Sequence, residues 1–311
     1  MRKHIIFLVG PTAVGKTETA LLLADAIDAE IISCDSMQIY TGMDIGTQKP
    51  SREQRAAVRH HLIDILAPDQ EFSAADFRER SLAIIARLQR ASKIPLFVGG
   101  TGLYVSALVD GLFPSPPKDE ALRNALYREQ EIAGGDHLWR KLAAVDPETA
   151  RLIHANDSKK LVRALEIYET TLTKKSELLS KTQRLPAAFP VKIFALTRPR
   201  QELYRRIDER VIGMFDEGFI EEVRRLPREK LGTTASQAIG YREVFAYLDG
   251  RLGLGEAQEL IQKNTRHYAK RQLTWFRRDK RIEWVEIGSD ERPAETAARI
   301  QERIRAFFGN K

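Results

Sequence analysis

The sequence predicts an α/β fold in which a parallel sheet is covered by helices, an all-helical lobe is inserted, and the C-terminal part is helical. The first third of the chain alternates short apolar runs, at 5–9, 31–32 and 96–98, with helical patterns from residue 16 and at 74–90. Such unbroken apolar runs are typical of strands buried on both faces, as in a parallel sheet between helices. With 311 residues, 43% of them hydrophobic, the chain can fill one large core or a core with an added lobe.

The strand pattern stops after the first third and resumes with apolar runs at 192–196 and 282–287. The interruption begins at a segment that contains Pro114, Pro116 and Pro117. Proline has no backbone N–H and so blocks helix and strand hydrogen bonding. The sheet is therefore expected to be completed only after an excursion of the chain.

The excursion has a helical pattern. Gly134-Gly135 is a helix stop signal within it, and Asp146-Pro147 is a helix start signal. We therefore predict an inserted helical lobe over 115–188 and an α/β core formed by 1–114 and 189–311.

The chain is strongly basic, with a formal net charge of +7 and a pI near 9.4. This balance favours a polyanionic partner, although charge alone leaves RNA, DNA, acidic lipid and plain solubility open. The single cysteine, Cys34, excludes an internal disulfide framework and fits a reducing compartment. No apolar stretch approaches the roughly 20 residues of a membrane span, so we expect a cytoplasmic protein without membrane attachment. We also expect a monomer, although no sequence feature decides the oligomeric state.

Residues 10–17 read GPTAVGKT and fit the phosphate-loop pattern G-x-x-x-x-G-K-[ST], directly after an apolar run and before a helical pattern. In such a loop, backbone N–H groups converge on phosphate oxygens at a helix N-terminus. Lys16 adds a point charge, and Thr17 adds a hydroxyl that can ligate Mg²⁺. The pattern makes the predicted sheet P-loop NTPase-like and indicates two linked phosphates rather than ATP in particular.

Two further polar segments follow predicted strands in the same way. Asp35 comes after the apolar run at 31–32, and GGTGLY at 99–104, which contains Thr101, follows the run at 96–98. Open α/β folds bind ligands at the carboxyl ends of their strands, so the three strand ends are expected to meet at one cleft. An aspartate after a strand is also a common turn or helix-capping residue, so the carboxylate alone does not fix the function.

The chain carries seven segments in a distinctive order: GPTAVGKT at 10–17, CDSMQIYTGMDIGTQKP at 34–50, HHLIDIL at 60–66, GGTGLY at 99–104, DPETARLIHANDSKKLVRALE at 146–166, QAIGYRE at 237–243 and TRHYAKRQLTWFRR at 265–278. In that order they resemble the successive signatures of the tRNA dimethylallyltransferases. One departure is Ala155, where a proline is common in the family, and it concerns a turn between lobe helices. The tail after about residue 288 carries no signature.

The resemblance implies transfer of a dimethylallyl group from dimethylallyl pyrophosphate to the N6 amine of the adenosine 3′ of the anticodon, tRNA position 37. Pyrophosphate is released, and Mg²⁺ is the implied cofactor. By resemblance, Asp35 is the general base and Thr101 positions the amine or the pyrophosphate, while Lys16 and Thr17 stabilise the leaving group. Arg210 is the implied arginine contact of the pyrophosphate, with Arg198 as the alternative. The implied donor site comprises Gly10, Pro11, Thr12, Ala13, Val14, Gly15, Lys16, Thr17 and Arg210.

A helix over the last signature would have one basic and one apolar face. The basic face holds Lys263, Arg266, Lys270 and Arg277, and the apolar face holds Ile261, Tyr268, Trp275 and Phe276. Residues 263–281 contain eight lysines or arginines against a single acidic residue, Asp279. This imbalance favours phosphate contact over a merely solvated face.

The lobe repeats the pattern, because Lys159, Lys160 and Arg163 cluster on one side of a predicted helix. By resemblance the segment 159–163 contacts the tRNA, and residues next to Asp35 lie near the target base, which must leave its stack to enter the site. The implied tRNA contacts are Asp35, Ser36, Met37, Gln38, Thr101, Arg123, Lys159, Lys160, Leu161, Val162, Arg163, Lys263, Arg266 and Lys270. For Ile39 we favour core filling, and Tyr40 and Tyr104 either pack or stack on bases.

Three functions stay open on sequence alone. The first is a Mg²⁺-dependent prenyltransferase acting on tRNA, and the second is a P-loop kinase of a nucleoside or small metabolite. The third is an RNA-binding protein with a phosphate loop and no prenyl chemistry. The histidines at 60, 61, 137 and 154 show no metal-ligand spacing, so no zinc site is predicted.

Overall fold

The computed structural model describes residues 4–113, 115–182, 184–186 and 189–309. The chain divides into two compact units, one formed by Met1–Val109 with Pro186–Lys311 and the other by Asp110–Leu185. The second unit overlaps the predicted lobe, 115–188, over most of its length. Of the three prolines expected to stop regular structure, Pro114 lies outside the described residues.

Within the described residues, the first unit contains one parallel sheet of six strands. The strands are β1 (Ile5–Val9), β2 (Ala29–Cys34), β3 (His60–His61), β4 (Ile94–Gly99), β5 (Val191–Thr197) and β6 (Ile282–Glu286). They lie in the order β3-β2-β4-β1-β5-β6, and each neighbouring pair is parallel. The predicted parallel sheet is confirmed, and its last two strands come from the chain after the lobe.

The sequence analysis did not predict the strand β3. His60 and His61 of β3 pair with Ile31 and Ile32 at the edge of the sheet. Two polar, half-buried residues form no periodic pattern, so hydropathy gives no signal for them. Their position is set by the neighbouring strand rather than by their own preference.

Four helices precede the second unit: α1 (Lys16–Ile27), α2 (Arg52–Ala57), α3 (Ala74–Arg90) and α4 (Gly102–Val109). The bounds of α3 agree with the predicted helix at 74–90. It begins at Ala74 because Ser73 and Asp76 cap it reciprocally. The Ser73 hydroxyl accepts from the Asp76 N–H at 3.2 Å, and the Asp76 carboxylate accepts from the Ser73 N–H at 2.8 Å.

The second unit contains the helices α5 (Glu120–Ala133), α6 (His137–Val145), α7 (Pro147–Arg151), α8 (Ser158–Thr171) and α9 (Lys175–Ser180). Both predicted boundary signals operate. Gly134 ends α5 with a φ of 65°, and Asp146 caps α7 by accepting from the Thr149 N–H at 3.1 Å. The helices enclose a separate apolar core that includes Leu126, Leu138 and Leu142.

Among the described residues, six α-helices of the first unit follow: α10 (Arg200–Asp216), α11 (Phe219–Arg225), α12 (Thr233–Ser236), α13 (Tyr241–Leu248), α14 (Leu254–Phe276) and α15 (Pro293–Phe308), with a short 3-10 helix at Arg228–Lys230. The tail that carries no signature forms α15. Its buried residues Ala297, Ile300 and Ile304 join the core that also contains Ala20 and Leu23 of α1. Across the described residues, no helix is both long and apolar enough to cross a bilayer.

Candidate active site

The phosphate loop, Asp35 and Thr101 meet because their strands are neighbours in the sheet. Gly99 at the end of β4 pairs with Val9 of β1 on one side and with Cys34 of β2 on the other. The segments that leave these three parallel strands therefore emerge at the same edge. A cavity of about 510 Å³ opens there, lined by loop residues and by the segment that begins at Asp35.

The phosphate loop has a tightly constrained course. Gly10 has a φ of 146°, and a Cβ on it would lie 2.7 Å from the Leu196 carbonyl oxygen, so only glycine fits. The loop residues that line the cavity are Thr12, Ala13, Gly15, Lys16 and Thr17. The others support the loop: the carbonyls of Gly10 and Pro11 bind Lys16, and the carbonyl of Val14 binds Arg198.

Lys16 brings a positive charge to the cavity. Its Nζ donates hydrogen bonds to the carbonyl oxygens of Gly10 at 3.1 Å and Pro11 at 2.7 Å. These use two of its three N–H donors and leave one for a bound anion. Burial and the nearby charge of Arg210 lower the pKa of Lys16 to about 8.

Three arginines brace the loop from the side of β5 and α10. Arg198 is nearly buried, and it donates to the carbonyl of Val14 at 3.0 Å and to the carboxylate of Glu202 at 2.6 Å. Arg206, which sequence reasoning missed, donates to the carbonyl of Ala13 at 2.9 Å. Arg210 lines the cavity and donates to the Thr12 hydroxyl at 3.2 Å. Of the two predicted arginines, Arg210 is thus the one that lines the cavity beside the phosphate loop.

Gln272 of α14 is a second residue that sequence reasoning missed. Its side-chain oxygen accepts from the Thr12 N–H at 2.9 Å, and its Nε2 donates to the Gly100 carbonyl at 3.1 Å. The side chain is buried, with 5% of the residue exposed. It therefore ties the helix to the loops after β1 and β4. The signal in the sequence was an uncharged polar residue on the apolar face of that helix.

Replacing Gln272 with leucine is expected to lower the free energy of unfolding by about 1–3 kcal/mol for each of the two backbone groups left unpaired. The KM for the pyrophosphate donor that the sequence resemblance implies should rise because Thr12 and the loop around it lose their anchor. Urea unfolding and steady-state kinetics measure the two effects. Gln262→Leu on the same helix removes one half-buried hydrogen bond, to the Asp208 carbonyl, and serves as the control. Equal effects of the two substitutions would contradict the anchoring role.

Asp35 and Thr101 are held by backbone groups at the ends of β2 and β4. The Asp35 carboxylate accepts from the Met37 N–H at 2.9 Å. The Thr101 hydroxyl accepts from the Ser36 N–H at 3.1 Å, and the Thr101 N–H donates to the Cys34 carbonyl at 3.1 Å. These contacts fix the two side chains relative to each other. Asp35 lines the cavity, whereas Thr101 is not among the lining residues and lies behind the segment that begins at Asp35.

The cavity shifts the proton affinities of its acidic groups. Burial raises the pKa of Asp35, and the Met37 N–H and the charge of Lys16 oppose that rise only in part. The pKa of Tyr268 on α14 is raised by burial and by the charge of Asp35, so its hydroxyl stays protonated. A carboxylate with a raised pKa is a stronger base than an ordinary one, so Asp35 is better suited to accept a proton.

The value of kcat/KM for the donor that the resemblance implies is expected to fall at both the acid and the basic end of its pH profile. On the acid side Asp35 becomes protonated at a higher pH than an ordinary carboxyl, whose pKa is 3.8. On the basic side Lys16 loses its charge as pH rises through about 8 instead of 10.5. The pH dependence of kcat/KM reports the pKa values of the free enzyme, so kcat/KM should fall as Lys16 loses its proton. This fall is the basic limb of the profile. Lys16→Arg keeps its charge and should lack the limb; an unchanged limb in that variant would exclude Lys16 as its source.

The segment after Asp35 divides between cavity and core. Ser36, Met37 and Gln38 line the cavity, whereas Ile39 is buried, as favoured from sequence. Tyr40 is fully buried, and Tyr104 stacks on Phe77 with ring centroids 4.2 Å apart. Both tyrosines therefore pack and neither is available to stack on a base.

Comparison with known proteins matches the chain to the model of the family described as IPP transferase over residues 38–279. A relative from Geotalea uraniireducens, named tRNA dimethylallyltransferase 2, is 48% identical over 98% of this chain and 97% of its own. The chain belongs to the IPP transferase family. A relative from Geobacter sulfurreducens, named tRNA dimethylallyltransferase, is 46% identical over 92% of each chain.

Solved structures agree with this membership. The full-length tRNA isopentenylpyrophosphate transferase of Bacillus halodurans superposes with a TM-score of 0.71 and 37% identity, covering 98% of this chain and 96% of that one. A eukaryotic dimethylallyltransferase, described as acting on tRNA, gives a TM-score of 0.82 and 26% identity, covering 98% and 79% of the two chains.

Helix α14, which contains the family's last signature, has the predicted basic face with one correction. Lys263 and Lys270 are exposed, and Arg266 is half-buried in an ion pair with Asp208 of α10. Trp275, expected to pack, is 42% exposed. The buried face is centred on Gln272, so Trp275 lies at its margin, beside Gly102.

The lobe segment 159–163 requires a second correction. Lys159 and Lys160 are exposed, but Leu161 and Val162 are fully buried in the core of the second unit. Their side chains fill that core, so the RNA contact that the resemblance implied for these two residues is limited to their backbone.

The two arginines predicted in the lobe are joined by one acid. Arg163 donates to the fully buried carboxylate of Glu166 at 2.7 Å and to the Pro116 carbonyl at 2.8 Å. The Arg123 guanidinium lies 3.8 Å from the same carboxylate. Both arginines therefore also stabilise the lobe, since an unpaired buried carboxylate is costly.

Proposed function

We propose that the protein transfers a dimethylallyl group from dimethylallyl pyrophosphate to the N6 amine of the adenosine 3′ of the anticodon in tRNA, releasing pyrophosphate. The observation that carries the proposal is the cavity shared by Asp35 and the phosphate loop. The reaction needs a base beside the amine and a cationic site beside the leaving pyrophosphate, on opposite sides of the transferred group. Asp35, whose pKa is raised, and the phosphate loop supply these two groups.

In the proposed reaction the allylic C–O bond breaks and a C–N bond to the adenine amine forms. The electron pair of the C–O bond leaves with pyrophosphate, where Lys16, Arg210 and the loop N–H groups stabilise the developing charge. Asp35 accepts the proton that the amine loses during attack. Thr101 does not line the cavity itself, and its hydroxyl would position the amine through the Ser36 N–H that it holds beside Asp35.

The cavity also has an apolar part suited to a five-carbon group. Val211 and Met214 of α10, Ala238 and Ile239 before α13, and Ile261 of α14 line it. Apolar surroundings exclude water from the reacting carbon and so favour transfer to the amine over hydrolysis.

Mg²⁺ would bind at this site together with the phosphates of the substrate. Among the described residues no cluster of three or more His, Cys, Asp or Glu side chains could hold a metal by itself. Mg²⁺ is commonly bound by one or two protein oxygens together with substrate phosphates. The half-buried Thr17 hydroxyl would hold it at the loop. When bound, the ion would neutralise charge on the leaving pyrophosphate.

The proposed partner is the anticodon stem-loop of tRNA. The exposed Lys263 and Lys270 of α14 and the exposed Lys159 and Lys160 of α8 are suited to contact its phosphates. The target adenine must leave the loop's stack to reach Asp35, as in other enzymes that modify bases. With tRNA as the substrate, we propose that the protein acts in the cytoplasm.

One assay separates prenyl transfer from phosphoryl transfer. The protein is incubated with Mg²⁺, an anticodon stem-loop with adenosine 3′ of the anticodon, and either dimethylallyl pyrophosphate or ATP. We expect a five-carbon mass gain on the RNA with the first donor and no change with the second. A stem-loop with guanosine at that position is the control acceptor. RNA binding without a mass gain would overturn the proposal, and phosphate transfer from ATP would favour a kinase.

A further inference from the structure

The segment 43–49 forms the cavity wall next to Gln38. It is a compact turn in which the Thr47 hydroxyl donates to the Met43 carbonyl at 2.6 Å and the Lys49 N–H donates to the Asp44 carbonyl at 3.1 Å. Its residues 46–49 line the cavity. Gln38 donates from Nε2 to the Thr47 and Gln48 carbonyls, at 3.3 and 3.2 Å. The wall is thus joined to the stretch that begins at Asp35.

The back of this wall is held by one carboxylate. Glu222 of α11 accepts from three consecutive backbone N–H groups, those of Asp44 at 2.8 Å, Ile45 at 2.7 Å and Gly46 at 3.1 Å. It also accepts from the Tyr241 hydroxyl at 2.7 Å. Consecutive N–H groups that converge on one anion form a strong site, and hydrogen bonds to a charged acceptor are stronger than neutral ones.

The side of the wall that faces Glu222 is also closely packed against aromatic rings. A Cβ on Gly46 would lie 2.4 Å from the ring of Tyr241 and 2.5 Å from that of Phe219. The two rings contact edge to face, with centroids 5.1 Å apart, and both residues are fully buried. Gly46 therefore packs directly against the rings of Tyr241 and Phe219, which leave no room for a side chain. The hydrogen bonds to Glu222 fix the position of the turn relative to these rings.

We propose that Glu222 is a positioning residue for the RNA acceptor, which fixes the wall 43–49, and through it Gln38, against the target nucleotide. It does not line the cavity and touches no reacting atom. The inference rests on the proposed function, because the acceptor is taken to be the nucleotide that enters beside Asp35. The chemistry recognised at this wall is that of an extruded purine nucleotide, which the cavity-lining residues 46–49 and Gln38 would contact.

The test compares Glu222→Gln with Glu221→Gln. In Glu222→Gln, an amide N–H₂ replaces one carboxylate oxygen and faces the backbone N–H donors, from which it cannot accept. The substitution therefore removes the charge and at least one of the four hydrogen bonds. The second neutralises the neighbouring glutamate, which is exposed and pairs only with Arg224 among the described residues. We expect Glu222→Gln to raise the KM and the Kd for the stem-loop about tenfold, with the donor KM and the Kd for inorganic pyrophosphate within about twofold. Glu221→Gln should match the wild type.

A role limited to stability would raise both KM values together or neither, and either result would overturn the proposal. If Glu222→Gln does not fold, Tyr241→Phe removes one of the four bonds and retains the carboxylate. It should raise the stem-loop Kd about threefold, and an unchanged Kd would overturn the proposal as well. The binding measurements need no turnover. Failure of the wild type to prenylate RNA would therefore be distinguished from failure of the Glu222 inference.

Discussion

Asp35→Asn is expected to slow prenyl transfer by about 10²–10⁴-fold, the usual contribution of a positioned general base. Asparagine retains an oxygen that can accept from the Met37 N–H, as the carboxylate does at 2.9 Å. The fold of the segment 35–38 should therefore persist, and the Kd for the stem-loop should stay within a few fold. Single-turnover measurement of prenylated RNA, with both substrates saturating, isolates the chemical step.

The control for this substitution lies at the other end of the same strand. Asp28 precedes β2, has a φ of 56° that asparagine tolerates, and pairs with Lys93 outside the cavity. Asp28→Asn should leave the rate of transfer unchanged. Wild-type turnover in Asp35→Asn would exclude Asp35 as the base, and a slow Asp28→Asn would mean that the loss reflects damage to the strand.

Lys16→Met is expected to lower kcat about 10²-fold and to raise the KM for the pyrophosphate donor. Removing one preorganised group from a site of developing negative charge costs about 10²–10³ in rate. Methionine also loses the hydrogen bonds to the Gly10 and Pro11 carbonyls, which loosens the loop. Steady-state kinetics with donor and stem-loop varied separately measure both constants.

The stem-loop Kd of Lys16→Met should remain close to that of the wild type, because Lys16 is assigned to the donor and not to the RNA. Lys93→Met, which neutralises an exposed lysine outside the cavity, is the control. A donor KM unchanged in Lys16→Met would contradict the role of the phosphate loop. An equal loss in Lys93→Met would show that net charge, rather than the loop, controls the rate.

Much of the fold could be predicted because its elements have strong local signals. The buried strands have unbroken apolar runs, the helix at 74–90 is capped by Ser73 and Asp76, and the lobe helices are bounded at Gly134 and Asp146. The segments that carry Asp35, Thr101 and the phosphate loop follow such strands. Their convergence could therefore be predicted from the rule that parallel strands end at one edge.

The supporting residues of the site could not be predicted, because their partners are distant in the chain. Gln272 meets Thr12 across 260 residues and Glu222 meets Asp44 across 178. Glu222 leaves no periodic or spacing signal. Gln272 is a polar residue on the apolar face of its helix, which indicates that it is special but not which residue it contacts. The exposure of Trp275 and the burial of Val162 were mispredicted for a related reason: helical periodicity gives the faces of an isolated helix, whereas the neighbours decide how wide the buried face is.

The coupling of pyrophosphate release to adenosine modification tests the central claim most directly. In a single-turnover reaction with dimethylallyl pyrophosphate, Mg²⁺ and the stem-loop, pyrophosphate and the modified nucleoside are quantified from the same samples. The shared cavity predicts one pyrophosphate released for each N6-dimethylallyladenosine formed, at equal rates, with both products lost in Asp35→Asn. Pyrophosphate released without modified adenosine, or a dimethylallyl group found on another atom of the RNA, would contradict the account.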